Sequence, residues 1–266
     1  MPSVTIDQVP TPLPIVRSVA ELRATVAGWR KAGLSVAVVP TMGALHDGHL
    51  SLVRLAKTKA DRVIVTLFVN PTQFAPHEDF ETYPRSEATD VALLQEAKCD
   101  LLYAPTAAVM YGQGFATRIT VAGVSEPLDG LARPHFFGGV ATVVAKLLIQ
   151  TGADVAIFGE KDYQQLQVIK RMVTDLDLPV TIIGAPTARA EDGLALSSRN
   201  AYLNDAQRQI AGQLNRIMAT AANAVALGGA ISDAVDLEVG AEASGNALDH
   251  VGDEGAAEAV HRAVRL

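Results

Sequence analysis

Residues 36–50 read VAVVPTMGALHDGHL, an apolar run followed by a polar segment with two glycines and two histidines. Residues 36–39 are short, apolar and rich in β-branched side chains, which predicts a buried strand. Residues 47–60 carry apolar side chains at roughly helical spacing after a polar turn that contains glycine. The stretch therefore predicts a strand, a turn and a helix, with His46 and His49 between the strand and the body of the helix.

The bulk composition excludes several classes of protein. The chain has 266 residues, 49% of them hydrophobic, and a formal net charge of −7. Such a chain can bury a large core, and its acidity argues against binding duplex nucleic acid. The single cysteine, Cys99, cannot form an intrachain disulfide, and no apolar run approaches the roughly 20 residues of a membrane span. Because no signal peptide is evident, we expect a cytoplasmic protein without a membrane segment.

Strands and helices alternate along most of the chain. Further strands are predicted at residues 62–69, 101–104, 155–158 and 180–183, and further helices at residues 86–98, 140–149 and 163–175. Near-continuous apolar strands between amphipathic helices predict a parallel sheet that is covered on both faces. The predicted fold class is a doubly wound α/β sheet, which binds ligands beyond the carboxyl ends of its strands, at a topological switch point.

The composition changes near residue 203. No Phe, Tyr or Trp follows Tyr202, and residues 205–227 form an alanine-rich helix candidate. Residues 228–266 are acidic and rich in Ala and Gly. We therefore expect one ligand-binding domain over residues 1–190 and a smaller region over residues 191–266, whose tail is helical or partly disordered.

The two histidines of the opening stretch leave three interpretations open. They could share a zinc ion, although the remaining His and Cys residues do not have metal-ligand spacing. They could also be structural. A helix start, however, offers free N–H groups to a phosphate, and Gly43 and Gly48 let the backbone approach a ligand. Imidazoles can donate hydrogen bonds to phosphoryl oxygens, and Asp47 can cap the helix, so this position favours nucleotide binding.

The segment FGEKDYQQL, residues 158–166, repeats the strand-to-helix arrangement. Gly159 and the following helix start suit a phosphate or a ribose. Lys161 can neutralise phosphate as a point charge, and Asp162 can bind a ribose hydroxyl or a magnesium-bound water. An ordinary charged helix start is the alternative.

Two further polar loops carry candidate binding groups. LALSSRN, residues 194–200, offers two hydroxyls and the guanidinium of Arg199, which can bind phosphate through two hydrogen bonds. FVNPTQF, residues 68–74, has the amides of Asn70 and Gln73 at the end of a strand, where they suit a hydroxyl or a carboxylate. Turn chemistry around the proline is the alternative for this loop.

These loops together resemble the pantothenate synthetase (pantoate–β-alanine ligase) family. The resembling segments are VPTMGALHDGH, FVNPTQF, YPR, FGEKDYQQL and DGLALSSRNAYL, in this order between residues 39 and 203. The HxGH pattern is also typical of a wider nucleotidyltransferase superfamily. No Walker A, GxGxxG or GxSxG pattern occurs, which argues against P-loop kinases, dehydrogenases and α/β-hydrolases.

The resemblance implies a Rossmann-like domain, a smaller C-terminal lid and two half-reactions. Pantoate attacks the α-phosphorus of ATP to give pantoyl adenylate and pyrophosphate. The amine of β-alanine then displaces AMP to give pantothenate. The resemblance also implies that Mg²⁺ accompanies the triphosphate and that the protein is a homodimer.

The resemblance implies site residues as well. His49 would be the proton donor, and His46 and Lys161 would also be catalytic. Pantoate would be bound by Gln73 and Gln165, and the amide of Asn70 is a further candidate for binding substrate. ATP would be bound by Met42, Gly43, Ala44, Leu45, His46, Asp47, Gly48, His49, Gly159, Glu160, Lys161, Asp162, Leu196, Ser197, Ser198 and Arg199.

Two segments depart from the family pattern. In RPHFFGGV, residues 133–140, Phe136 stands where a family histidine would align, and His135 is displaced by one position. The small C-terminal sheet of the family has no recognisable counterpart. These departures leave open a protein that binds nucleotide or pantoate without turning it over. The HxGH pattern leaves open another small-molecule nucleotidyltransferase.

Overall fold

The sheet has six strands in a computed structural model that describes residues 12–76 and 78–228. The strands are β1 (Ile15–Val16), β2 (Val36–Thr41), β3 (Arg62–Leu67), β4 (Leu101–Tyr103), β5 (Val155–Gly159) and β6 (Thr181–Ala185). They lie in the order β1-β4-β3-β2-β5-β6, and all neighbouring strands are parallel. The predicted doubly wound parallel α/β fold is confirmed.

This strand order puts the topological switch point between β2 and β5. From β2 the sheet extends through β3 and β4 to one edge, and through β5 and β6 to the other. The segments that follow β2 and β5 therefore start from neighbouring strands at the carboxyl edge of the sheet. This edge is where doubly wound sheets bind their ligands.

Helices connect the strands and continue after the sheet. The α-helices of the described residues are α1 (Val19–Lys31), α2 (Asp47–Lys57), α3 (Glu87–Glu96), α4 (Ala107–Met110), α5 (Asp129–Ala132), α6 (Phe136–Thr151), α7 (Tyr163–Asp175) and α8 (Asp205–Ala226). Short 3-10 helices span Pro71–Gln73, Glu160–Asp162 and Ser198–Tyr202. Within the described ranges, no helix is both long enough and apolar enough to cross a bilayer.

Alternate residues of the central strand face opposite layers of helices. Val36 and Val38 of β2 belong to a buried cluster with α1, α6 and α7. Ala37 and Val39 belong to a second cluster with α2 and α3. Side chains alternate between the faces of a strand, so covering both faces explains why the strand is apolar throughout.

Helix α1 and strand β1 are absent from the sequence prediction, as are the short helices α4 and α5. Helix α1 begins after Ser18, whose hydroxyl accepts a 3.2 Å hydrogen bond from the N–H of Glu21, while the Glu21 carboxylate accepts one from the N–H of Ser18. This reciprocal capping box is a local pattern that predicts a helix start. Strand β1 has only two residues and pairs with β4 at the edge of the sheet. It is too short to give a periodic pattern.

Several predicted boundaries differ from the structure. The helix predicted over residues 140–149 begins earlier, at Phe136, and ends later, at Thr151. Gly152 ends it in the left-handed conformation that helix ends favour, with φ of 55°. The predicted alanine-rich helix is confirmed as α8. The predicted character of the acidic tail, from residue 229 onward, lies outside the described residues.

The chain divides into two compact units. The first comprises residues up to Leu45 together with His49–Pro186, and it contains the sheet. The second comprises His46–Gly48 and the chain from Thr187 onward. Inside the second unit, Arg208 of α8 pairs with Asp192, and Arg189 forms an isolated antiparallel bridge with Ala195.

Candidate active site

Three of the predicted polar loops leave the carboxyl edge of the sheet. The segment that starts at Met42 follows β2, the Asn70–Gln73 segment follows β3, and Glu160–Asp162 follows β5. Strand β2 pairs with both β3 and β5, so the topology starts these loops from adjacent strands although they are far apart in the sequence. The fourth predicted loop, residues 194–200, belongs to the second unit.

The turn after β2 is held by a carboxylate from α3. Gly43 and Ala44 have φ of 86° and 51°, a conformation that costs energy for alanine. Asp90 accepts hydrogen bonds from the N–H groups of Ala44, at 3.1 Å, and Leu45, at 2.8 Å. Asp90 is only 2% exposed, and burial raises its pKa against the opposing effect of these bonds. It therefore fixes the backbone that leads into His46, and the sequence analysis missed this role.

The turn that contains His46 determines which ring nitrogen accepts a hydrogen bond. Its Nδ1 accepts a 3.1 Å hydrogen bond from the N–H of Gly48. A neutral imidazole that accepts at Nδ1 carries its proton on Nε2, where it can donate to a phosphoryl oxygen. A Cβ on Gly48 would lie 2.8 Å from Cε1 of His46 and 2.9 Å from Nδ1. The His46 ring is thus a structural reason for glycine at this position.

The side chain of Asn70 is engaged by protein groups on both sides. Its Oδ1 accepts hydrogen bonds from the N–H of Thr72 at 3.3 Å and from the hydroxyl of Tyr111 at 2.6 Å. Its Nδ2 donates to Oε1 of Gln73 at 3.1 Å and to the carbonyl of Gly139 at 3.3 Å. Asn70 is 1% exposed. Its predicted contact with the substrate stays a prediction, whereas its hydrogen bond to Gln73 is direct.

Gln73 joins the loop after β3 to the loop after β2. Its Nε2 donates to Sδ of Met42 at 3.0 Å, while its Oε1 accepts from Asn70. The structure thus brings together a residue predicted to bind pantoate and the first residue predicted to bind ATP.

Arg133 connects the site to the segment that departs from the family pattern. Its Nε and one terminal nitrogen donate to the two carboxylate oxygens of Glu78, at 2.7 and 2.9 Å. The same terminal nitrogen donates to the carbonyl of Gln73 at 3.3 Å. The Arg133 guanidinium lies 3.9 Å from the ring centre of Phe136, a cation–π contact. Phe136 thus holds Arg133, whereas the neighbouring His135 is exposed.

Two adjacent glutamines of α7 have different surroundings. Gln164 donates to the carbonyls of Val124, at 3.1 Å, and Pro127, at 2.6 Å, and it accepts from the N–H of Asp129 at 3.1 Å. These hydrogen bonds give Gln164 a structural role. Gln165, which is predicted to bind pantoate, is half-buried and takes no part in them.

The predicted phosphate-binding groups lie in two 3-10 helices. Nζ of Lys161 is 3.4 Å from the carboxylate of Asp162 in the helix that follows β5. Ser197 caps the helix Ser198–Tyr202 by accepting a 3.3 Å hydrogen bond from the N–H of Arg199. Inside the second unit, Cβ of Leu196 lies 3.5 Å from the position of a Cβ on Gly48. Gly48 and Leu196, two residues predicted to bind ATP, therefore lie close together within this unit.

Comparison with known proteins identifies the family. A family model described as pantoate-beta-alanine ligase matches residues 14–261, nearly the whole chain. The chain belongs to the pantoate–β-alanine ligase family. The resemblance carried by the ordered loops is therefore confirmed, and the departure at Phe136 lies inside a chain that the family model matches on both sides.

Curated relatives in this ligase family are similar over most of their length. The pantothenate synthetase of Caulobacter vibrioides is 68% identical over 220 residues, which cover 83% of this chain and 77% of that protein. The pantothenate synthetase of Rhodospirillum rubrum is 60% identical over 221 residues, which cover 83% of this chain and 78% of that protein.

Solved structures of pantoate–β-alanine ligases share the fold. The crystal structure of pantothenate synthetase from Thermus thermophilus has a TM-score of 0.79 at 47% identity, covering 86% of this chain and 82% of that chain. The enzyme from Francisella tularensis, complexed with β-γ ATP and β-alanine, has a TM-score of 0.73 at 39% identity, covering 77% and 79%.

Proposed function

We propose that this chain condenses pantoate with β-alanine to give pantothenate, while ATP is converted to AMP and pyrophosphate. Membership of the pantoate–β-alanine ligase family supports this activity. The Francisella relative, complexed with β-γ ATP and β-alanine, supports these two substrates. The observation that carries the proposal is the 3.0 Å contact between Nε2 of Gln73 and Sδ of Met42. A carboxylate bound by Gln73 would lie beside a nucleotide bound at the turn after β2.

The first half-reaction needs no nucleophile from the protein. A carboxylate oxygen of pantoate attacks the α-phosphorus of ATP, and the bond from that phosphorus to the pyrophosphate oxygen breaks. Catalysis then consists of positioning and of stabilising the negative charge that develops on the phosphoryl oxygens. The Nε2–H of His46, the side chain of His49 and the cation of Lys161 supply suitable groups for this task.

The second half-reaction uses the adenylate that the first one forms. The neutral amine of β-alanine attacks the acyl carbon, and the bond from that carbon to the phosphate oxygen breaks. AMP leaves, and the new amide nitrogen loses a proton. The proposed pantoate residues Gln73 and Gln165 would hold the acyl part through both steps, and Asn70 would act through its hydrogen bond to Gln73.

Magnesium would enter as part of the substrate MgATP. Among the residues that the structure describes, no group of three or more His, Cys, Asp or Glu side chains could hold a metal ion. Mg²⁺ in such enzymes is commonly held by phosphates with one or two carboxylates, and it keeps several waters. The exposed carboxylate of Asp162, beside Lys161, fits a contact with one of these waters.

We further propose a cytoplasmic homodimer in which residues 1–190 bind the substrates and residues 191–266 form a lid-like region. Residues 196–199 would contribute to ATP binding from that region. The single cysteine suits a reducing compartment. Sedimentation equilibrium of the purified chain tests the dimer, because a mass near 28.0 kDa would mean a monomer.

The function is tested by measuring both products in the presence and absence of each substrate. With MgATP and pantoate alone, we expect bound pantoyl adenylate and pyrophosphate by mass spectrometry, without AMP turnover. Adding β-alanine should give AMP and pantothenate in equal amounts. ATP consumption that is no faster with pantoate and β-alanine than without them would overturn the proposal, and binding without adenylate would favour a protein that does not turn its ligands over.

A further inference from the structure

We infer that Tyr111 is a positioning residue of the proposed pantoate site. Through Asn70 it fixes the orientation of the Gln73 amide, so that Gln73 presents an N–H donor to the substrate. The inference rests on the proposed function. It adds which atom of Gln73 faces the substrate, a donor or an acceptor, and which residue determines this.

The orientation of the Asn70 amide is forced by two backbone groups. The backbone N–H of Thr72 can only donate, and it points at Oδ1 of Asn70 at 3.3 Å. The backbone carbonyl of Gly139 can only accept, and it lies 3.3 Å from Nδ2. Exchanging the oxygen and the nitrogen of Asn70 would place a donor against the N–H of Thr72 and an acceptor against the carbonyl of Gly139.

The orientation of Gln73 follows from that of Asn70. Nδ2 of Asn70 is a donor, so the atom it meets at 3.1 Å must be the oxygen of Gln73. The other end of the Gln73 amide is then Nε2, which donates one N–H to Met42 at 3.0 Å. Gln73 is 8% exposed, and an N–H with little access to water is costly unless it finds an acceptor. The second N–H of Nε2 is therefore suited to an oxygen of the substrate.

Tyr111, Asn70 and Gln73 form a chain of hydrogen bonds, called the relay below, in which Tyr111 contacts the side of Asn70 opposite to Gln73. Its hydroxyl donates to Oδ1 of Asn70 at 2.6 Å, the shortest of the hydrogen bonds to this amide. Its ring packs in a tilted arrangement against Phe115 and Phe68, with ring centres 5.0 and 6.1 Å apart. Burial raises the pKa of Tyr111, so its hydroxyl keeps its proton at neutral pH and remains a donor.

An amide donor suits the chemistry of the proposed substrate. Pantoate carries a carboxylate and two hydroxyls, all of which can accept a hydrogen bond. A cation at this position would neutralise the carboxylate and weaken it as a nucleophile. An uncharged N–H orients the oxygen with a smaller effect on its charge, which is what the attack on the α-phosphorus needs.

Steady-state kinetics of pantothenate formation test the relay with Tyr111→Phe, which keeps the ring and removes the hydroxyl. We expect the KM for pantoate to rise about five- to tenfold, with kcat changed less than about twofold and the KM for ATP unchanged. Tyr103→Phe is the matched control, because it removes another buried tyrosine hydroxyl, which donates to Gln150 at 3.0 Å. The control should lower Tm and leave the KM for pantoate unchanged.

The orientation of the Gln73 amide, with its N–H facing the substrate, is tested with Gln73→Glu. Glutamate can satisfy Asn70 but offers no N–H to the substrate, so the KM for pantoate should rise by about 100-fold or more. A KM close to that of the wild type in this variant would mean that Gln73 presents its oxygen, and it would overturn the inference. An unchanged KM for pantoate in Tyr111→Phe would overturn the role of Tyr111.

A spectroscopic readout separates this inference from the proposed function. Hydrogen exchange of the Asn70 side-chain amide, followed by NMR without ligands, should be slow in the wild type and faster in Tyr111→Phe. If the wild-type chain makes no pantothenate, the proposed function fails. The exchange rates then still test whether Tyr111 orients the Asn70 amide. Equal exchange rates in the two proteins would then refute it.

Discussion

Oδ1 of Asp90 accepts a 2.8 Å hydrogen bond from the backbone N–H of Leu45. Oδ2 of the same carboxylate accepts one from the N–H of Ala44 at 3.1 Å. Successive backbone N–H groups in such a turn form a concavity that binds anions, often phosphate. In this chain the concavity holds a carboxylate of the protein itself. The ATP contacts that we propose for Ala44 and Leu45 would therefore use other atoms than these N–H groups.

Replacing Asp90 by asparagine should slow adenylate formation about 10- to 100-fold, because an NH₂ group facing the N–H of Ala44 displaces the turn before His46. The change should appear in kcat, measured with saturating MgATP and pantoate. Glu87→Gln is the matched control on the same helix, since Glu87 pairs with Arg17 instead. Equal rates in the wild type and Asp90→Asn would contradict a positioning role for Asp90.

The thermal stability of Asp90→Asn should change much less than its activity. Burial raises the pKa of Asp90 in the folded state, so the folded chain binds a proton more readily than the unfolded chain. Between the unfolded and folded pKa values, the contribution of Asp90 to stability therefore falls as pH rises. Asp90→Asn removes this cost, and we expect its Tm at neutral pH to be within a few degrees of the wild type. Loss of the folded state would show that Asp90 mainly holds the fold.

Replacing Gly139 by alanine should disturb the pantoate site. A Cβ there would lie 2.3 Å from the carbonyl oxygen of Thr72 and 2.9 Å from the backbone nitrogen of Gln73, so the backbone must shift. We expect a loss of about 1–3 kcal/mol in the free energy of unfolding and a raised KM for pantoate. Gly28→Ala is the control: nothing lies within 4 Å of its Cβ position, and alanine should stabilise α1 by up to about 1 kcal/mol.

Replacing His49 by alanine should lower the rate of adenylate formation about 10²–10³-fold, as expected for the loss of a donor to a developing negative charge. Rapid-quench measurement of the first turnover, with MgATP and pantoate alone, isolates this step from product release. If the burst rate of His49→Ala equals that of the wild type, His49 has no part in the first half-reaction.

The ion pair between Glu78 and Arg133 should make stability depend on pH. Burial opposes ionisation of Glu78, but hydrogen bonds from Arg133 and from the N–H of Ala75 lower its pKa below the ordinary value of 4.5. Its contribution is therefore complete above that value and is lost as pH falls through the folded pKa. Glu78→Gln should lose about 1 kcal/mol at neutral pH and show a weaker fall in acid, measured by urea unfolding. Parallel pH profiles for the two proteins would contradict this assignment.

The sequence predicts most of the fold because its strands and helices have clear local periodicity. Apolar β-branched runs predicted the interior strands β2, β3 and β5, and the alanine-rich stretch predicted α8. Strand β1 lacks such a pattern because two residues at a sheet edge are too few to show one. Helix α1 was missed although its Ser18–Glu21 capping box is a local signal.

The candidate site was predictable only in part, for a related reason. Groups carried by a local motif, such as His46, Lys161 and Gln73, stand out beside glycines and strand ends. Asp90 and Tyr111 do not belong to any such motif. They act on residues 41 to 46 positions away in the chain, and only packing brings them together.

The alternation of strands and helices, and the ordered loops that indicate the family, can be recognised from the sequence alone. The tertiary fold is needed to tell which of the two glutamines in α7 binds neighbouring backbone groups and which end of the Gln73 amide faces Met42. These properties depend on hydrogen bonds between specific atoms. Such bonds are set by the distance and direction of groups from different elements, and local periodicity carries no information about either.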